Sequence, residues 1–117
     1  MAIQNPKMKS CIELCWECRT ECQQTLFDHC LEMGGPHASK AHVAIMTDCI
    51  QACQTAADFM TRGSTLHAAQ CEACSKVCDA CAASCEAIGG DMMMKCADLC
   101  RKCAQSCREM SKEMEPA

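Results

Sequence analysis

The residues that carry chemistry in this sequence are cysteines, sixteen among 117. Their spacing is regular: Cys11, Cys15, Cys18 and Cys22 in a first segment, Cys49 and Cys53 in a second, Cys71, Cys74, Cys78, Cys81 and Cys85 in a third, and Cys96, Cys100, Cys103 and Cys107 in a fourth. Within each run the gaps alternate between three and four, the a and d positions of a heptad, so every run marks one stripe of a helix. Side chains three or four apart on a helix stand about 5–6 Å from one another at Cβ, close enough for two sulfurs of one helix to clasp a single ion. Fifteen of the sixteen obey the rule. Cys30 falls one step off it, and His29 takes the in-register position.

Thiolates are soft ligands that select Cu(I), zinc or iron–sulfur clusters. Burying many of them is prohibitively costly unless the metal nearly neutralises their charge. A zinc ion held by four thiolates leaves two negative charges in excess, whereas one Cu(I) per thiolate leaves none. The expected cargo is therefore multiple Cu(I) ions, about one per cysteine. Zinc knuckles and cluster-binding loops wrap CxxC around a turn. Here Cys15-x-x-Cys18, Cys71-x-x-Cys74, Cys78-x-x-Cys81 and Cys100-x-x-Cys103 lie in helical patterns without Gly or Pro. Cysteine as plain core forfeits several methylenes against leucine at roughly 0.8 kcal/mol each, a loss with no stability rationale at fifteen positions. The reading that stays open beside copper is a thiol-rich protein that sequesters zinc or other soft metals, or buffers redox. Both are binding roles, and no enzyme activity is expected.

The elements that position these thiols follow from the punctuation. Asn5-Pro6 reads as a helix start, Gly34-Gly35-Pro36, Gly63-Ser64 and Gly89-Gly90-Asp91 are breakers, and Ser39, Ser64 and Asp91 are expected N-caps. Helices are predicted over approximately 6–33, 38–62, 65–88 and 91–114. Four helices of this length with short links fold into an all-α, antiparallel up-down-up-down four-helix bundle, a single domain over 1–117 with a cysteine-lined core. The links after helices one and three then share an end, which gathers His29, Met33, His37, His42, Met46, Met92, Met93 and Met94 as candidates for admitting ions. Thioether and imidazole are weaker Cu(I) donors than thiolate and suit a port. At the other end Met8, Met60, Met110, Met114 and His67 are expected to pack or cap.

Composition agrees with a bundle that lacks an ordinary core. The chain is 50 % hydrophobic, yet Cys, Met and Ala make up 43 of those 58 residues, while Leu, Ile, Val and Phe supply 14. A formal charge of −4 argues against nucleic acid as partner. No 18-residue apolar span suggests a membrane, and the N-terminus MAIQNPKMKSCIELCWEC has no signal-peptide pattern, so the expected location is the cytoplasm, where thiols stay reduced.

With CxxxC and CxxC pairs directed inward from all four helices, as in Cys11-x-x-x-Cys15, Cys49-x-x-x-Cys53 and Cys96-x-x-x-Cys100, the chain resembles the copper storage proteins, from Cys11 to Cys107. These are four-helix bundles whose interior cysteines hold many Cu(I) ions. The resemblance implies copper storage or detoxification, a homotetramer of bundles, loading through one Met- or His-bearing end, and, without a leader, the cytosolic group. Two departures are the sparse second helix, with only two thiols, and Cys30 off the seam.

Overall fold

The structure, a computed structural model, describes residues 5–113. The first helix runs as an α-helix over Pro6–Thr25, passes through one π-helical turn at Leu26–Cys30, and closes with the α-turn Leu31–Met33. A 3-10 turn at Gly35–Ala38 leads into the second helix, Lys40–Thr61; the third is His67–Ile88 and the fourth Asp91–Ser111. The four form an elongated antiparallel bundle of 50 × 20 × 19 Å. Helices one and three each pack on both two and four. No strand occurs among the described residues.

Local chemistry explains the boundaries. The Asn5 side chain accepts from the backbone N–H groups of Lys7 and Met8 at 2.9 and 3.3 Å, with Pro6 in the first turn where its missing N–H costs nothing. Its amide also donates to Glu113 at 2.8 Å, tying the start of helix one to the end of helix four. Ser39 caps helix two through the His42 N–H at 3.3 Å. Ser64, expected as the cap of helix three, accepts instead from Leu66 at 3.0 Å, and the helix starts later, at His67. Asp91 lies inside the first turn of helix four, where its charge suits the helix dipole, and Gly90 precedes it. The two-residue link between helices three and four needs φ of +79° at Gly89 and +90° at Gly90, backbone that L side chains adopt only under strain. Outside, Arg101 on helix four reaches Asp79 at 3.0 Å and Glu86 at 2.7 Å on helix three, and Arg108 reaches Asp79 at 2.9 Å.

All sixteen cysteines are fully buried free thiols. With them lie Met46, Met60, Met93 and Met110, Leu26, Ile12, and alanines such as Ala56, Ala82, Ala97 and Ala104. Trp16, Ile45 and Phe59 are half-buried on the flanks, while Phe27 and Leu31 are exposed.

The π-turn corrects the expected register at Cys30. A helix of uniform pitch turns His29 inward, but the turn at Leu26–Cys30 accommodates one extra residue. Leu26 and Cys30 consequently face the core and His29 is only half-buried. Cys30 therefore joins the interior seam that the sequence pattern had assigned to His29.

Candidate metal centre

The four inward stripes meet along the bundle axis and place their sulfurs in one continuous column. Near its middle, Cys18 lies 3.9 Å from Cys49 and 3.7 Å from Cys100, and Cys22 lies 3.8 Å from Cys49 and 3.6 Å from Cys100. Cys53 contacts Cys78 at 3.6 Å, Cys103 at 3.9 Å and Cys74 at 3.9 Å. Toward the chain termini, Cys15 meets Cys103 at 3.8 Å and Cys107 at 3.6 Å, and Cys11 meets Cys107 at 3.7 Å. Cys71, also buried, lies near Cys107 and Cys11 there. In the other direction Cys96 follows Cys22 at 3.8 Å, and Cys81 and Cys85 lie 3.5 and 3.7 Å from the Met46 thioether.

These separations match what a bound ion requires. Metal–thiolate bonds of about 2.3 Å put sulfurs about 3.8 Å apart around a tetrahedral ion and about 4.0 Å apart around a trigonal one. Three four-thiol groups have all their sulfurs within 4.8 Å of one another: Cys15, Cys74, Cys103 and Cys107; Cys18, Cys53, Cys78 and Cys103; and Cys18, Cys22, Cys49 and Cys100. Cys103 belongs to the first two and Cys18 to the last two. The groups are thus not separate tetrahedral sites, and filling them together requires thiolates that bridge ions.

The thiols also organise one another's protons. The thiols around Cys18, Cys100 first among them, shift its thiol downward. Cys22 is pushed up by its contacts with Cys100 and Cys18, and Cys53 by those with Cys103 and its neighbours.

At the end formed by the links after helices one and three, the candidates divide. His42, Met46 and Met93 are buried. His29 and His37 are half-buried with rings edge to face, 5.1 Å between centroids, and Met33, Met92 and Met94 are exposed. His42 Nε2 is 3.4 Å from the Cys30 sulfur, whose thiol donates to the Met93 thioether at 3.7 Å. Burial pushes the Cys30 thiol up to about 11, with the charges of Cys96 and Cys81 adding to it. Burial likewise lowers His42, which favours the neutral imidazole that binds metals. Ser84 Oγ sits 2.7 Å from His42 Nδ1. It lies beside Cys85 and off the cysteine stripe, so periodicity alone does not single it out.

At the opposite end Met60 and Met110 are buried and Met8 half-buried; Met114 lies outside the described residues. His67 is buried, with Nδ1 3.2 Å from the Ser64 carbonyl.

Comparison with known proteins gives a consistent set of likenesses. Residues 4–112 match the family model described as copper storage protein. A crystal structure of a Nitrosospira multiformis protein superposes with a TM-score of 0.85 at 40 % identity, covering 90 % of this chain and 94 % of its own. The Cu(I)-bound copper storage protein BsCsp3 gives a TM-score of 0.83 at 28 % identity over 90 % of this chain and 98 % of its own. Metal-free copper storage protein 3 from Bacillus subtilis gives 0.79 at 30 % identity over 88 % and 97 %. No curated protein sequence matches the chain.

Proposed function

Since the chain belongs to the copper storage protein family, we propose that it binds and stores many Cu(I) ions on the cysteine thiolates of its core, as a reserve or as protection against free copper. The observation that carries this reading is the sharing of Cys18 and Cys103 between four-thiol groups. Three zinc ions would place six positive charges among the ten thiolates of these groups and leave four negative charges in a dry interior. One Cu(I) per thiolate is neutral throughout.

All sixteen cysteines are assigned as ligands, with about one ion per cysteine at saturation. The end bearing His29, Met33, His37, His42, Met46, Met92, Met93 and Met94 admits the ions. It combines exposed thioethers and half-buried imidazoles outside with His42, Met46 and Met93 against the thiols inside. The protein acts as a store rather than a catalyst and assembles as a homotetramer, as the family resemblance implies. A reducing compartment such as the cytoplasm suits sixteen free thiols, and no helix among the described residues is long and apolar enough to cross a membrane. Anaerobic titration of the reduced protein against a colorimetric Cu(I) chelator tests the reading. Uptake approaching one ion per cysteine is expected; saturation at a few ions, or zinc that resists displacement by Cu(I), overturns it. Sedimentation equilibrium tests the tetramer, and a monomer mass at micromolar protein overturns that assembly.

A further inference from the structure

The three shortest thiol–thiol contacts of the column, Cys15–Cys107, Cys22–Cys100 and Cys53–Cys78, are all 3.6 Å long. They share no residue, and each joins two helices, one with four or two with three. Cys18 and Cys49, 3.9 Å apart on helices one and two, make a fourth such pair. A disulfide needs sulfurs about 2.05 Å apart and Cβ atoms about 3.5–4.5 Å apart. Neighbours on one helix stand about 5–6 Å apart at Cβ, too far to join without distorting the helix. Thiols on facing helices are not held apart in this way, and those at 3.6 Å need their sulfurs to close by only about 1.6 Å.

Burial limits what can oxidise these pairs. None of the sixteen cysteines has exposed surface, so an oxidant that must bring a bulky or hydrated group against sulfur finds no thiol to touch. A metal ion that travels down the column as cargo meets every one of them. Cupric copper is such an ion and a one-electron oxidant, and its reduction consumes what the column supplies, two thiols in contact. Two Cu(II) ions take one electron from each sulfur, the sulfurs join as a disulfide, both thiol protons leave, and two Cu(I) ions result.

We propose that the thiol column is a stoichiometric reductant as well as a store, converting Cu(II) into the Cu(I) it holds and closing cross-helix pairs as disulfides, Cys15–Cys107, Cys22–Cys100 and Cys53–Cys78 first. The activity rests on the storage reading and adds a second oxidation state to the cargo that the protein accepts. It limits itself. Each Cu(II) reduced removes one thiol, and the Cu(I) formed displaces the proton of another. Sixteen thiols therefore take up about eight ions delivered as Cu(II), ending as about four disulfides and about eight loaded thiolates. A disulfide carries no charge, so the interior stays neutral throughout, and full capacity belongs to copper delivered as Cu(I).

Anaerobic addition of copper(II) sulfate to fully reduced wild-type protein, with no other reductant present, tests it. The electron paramagnetic resonance signal of Cu(II) should vanish for up to about eight ions per chain, and thiols counted in denaturant after copper removal should fall from sixteen to about eight. Mass spectrometry of thiol-blocked samples should find the three 3.6 Å pairs linked first, within one chain. The same protein loaded with Cu(I) should keep all sixteen thiols, and oxidised glutathione, a bulky charged disulfide, should leave the folded metal-free protein reduced over the same time. A persistent Cu(II) signal or an undiminished thiol count, in protein that takes up many Cu(I) ions, overturns the reduction and leaves storage standing. Disulfides between chains or along single helices overturn the assigned pairs. Glutathione that oxidises the folded protein as fast as Cu(II) does overturns the role given to burial. Protein that takes up copper in neither oxidation state overturns the storage reading itself.

Discussion

Cys18 joins two four-thiol groups, so removing its sulfur separates a shared thiolate column from a row of independent sites. In the metal-free protein Cys18→Ala deletes one buried heavy atom, a loss comparable to Ile→Val, which costs about 0.5–1.5 kcal/mol. For a chain of this size that lowers Tm by about 2–8 °C and leaves the helices intact. In the loaded protein, neutrality permits one ion fewer than wild type, about fifteen where wild type holds about sixteen. Cys71→Ala loses the same single charge, but Cys71 lies at the end of the column and in none of the three groups. The variants should therefore agree in capacity and differ in retention. Cys18→Ala leaves both of its groups with three donors each, so the ions of both groups are held less tightly. Anaerobic competition against increasing Cu(I) chelator reads the difference as ions released at a chelator level that leaves wild type full. Cys71→Ala should release ions only from its own end, Cys18→Ala from two groups. Superimposable competition curves for the two variants would refute bridging through Cys18.

Loading should raise thermal stability steeply, because each ion present at 100 times its Kd adds about 2.7 kcal/mol and several such ions add tens of degrees to Tm. Scanning calorimetry with and without Cu(I) measures this, and an unchanged Tm at saturation would place the ions on the unfolded chain or the surface. Copper bound at Cys30 must displace the proton that burial retains there, with the thiol pushed up to about 11. Affinity at that site should thus fall about tenfold for each pH unit of acidification below that value, with one proton released per ion; a pH-stat titration without proton release contradicts it. At Asp79, burial works to raise the carboxyl, but hydrogen bonds from Arg108 and Arg101 outweigh it and the net shift is downward. A depressed carboxyl contributes stability above its unfolded value of about 3.9, and loses it as pH falls through the lower folded value. Asp79→Asn should cost under about 1 kcal/mol at neutral pH, and the gap from wild type should close only below about pH 4. A gap that closes between pH 5 and 7 would show that another group is responsible.

The bundle was legible in the sequence because thiols at spacings of three and four can lie on one stripe only if the chain is helical, and Gly34, Gly63 and Gly89 end three of the helices where glycine permits positive φ. Most of the inward set followed from the same rule. Cys30 did not, since carrying a heptad forward assumes constant pitch, and the π-turn that breaks this assumption leaves no mark in the local composition LFDHC. The Met92-Met93-Met94 run shows the converse limit. Consecutive residues on a helix point about 100° apart, so Met93 is buried while its neighbours face outward. The Ser84 contact with His42 was invisible because it joins two helices, and no single-helix pattern contains it.

A core of this composition raises the question of how the bundle holds together before copper arrives. Protonated thiols are small and weakly polar and pack as hydrophobes, and here most find sulfur neighbours 3.5–3.9 Å away that accept or donate a proton. Leu26, Met60 and Met110 fill space beyond the column, while caps at Asn5 and Ser39 and the Arg101–Asp79–Glu86 contacts secure the helices from outside. An ion that enters replaces a proton with a unit positive charge, so the interior remains neutral when empty, when full and at every filling between. The folded state need not change charge to change load, and the thiol separations already approximate those of a bound ion. Uptake and release should then be governed by ligand exchange along the column and at its His-bearing end, rather than by unfolding of the bundle.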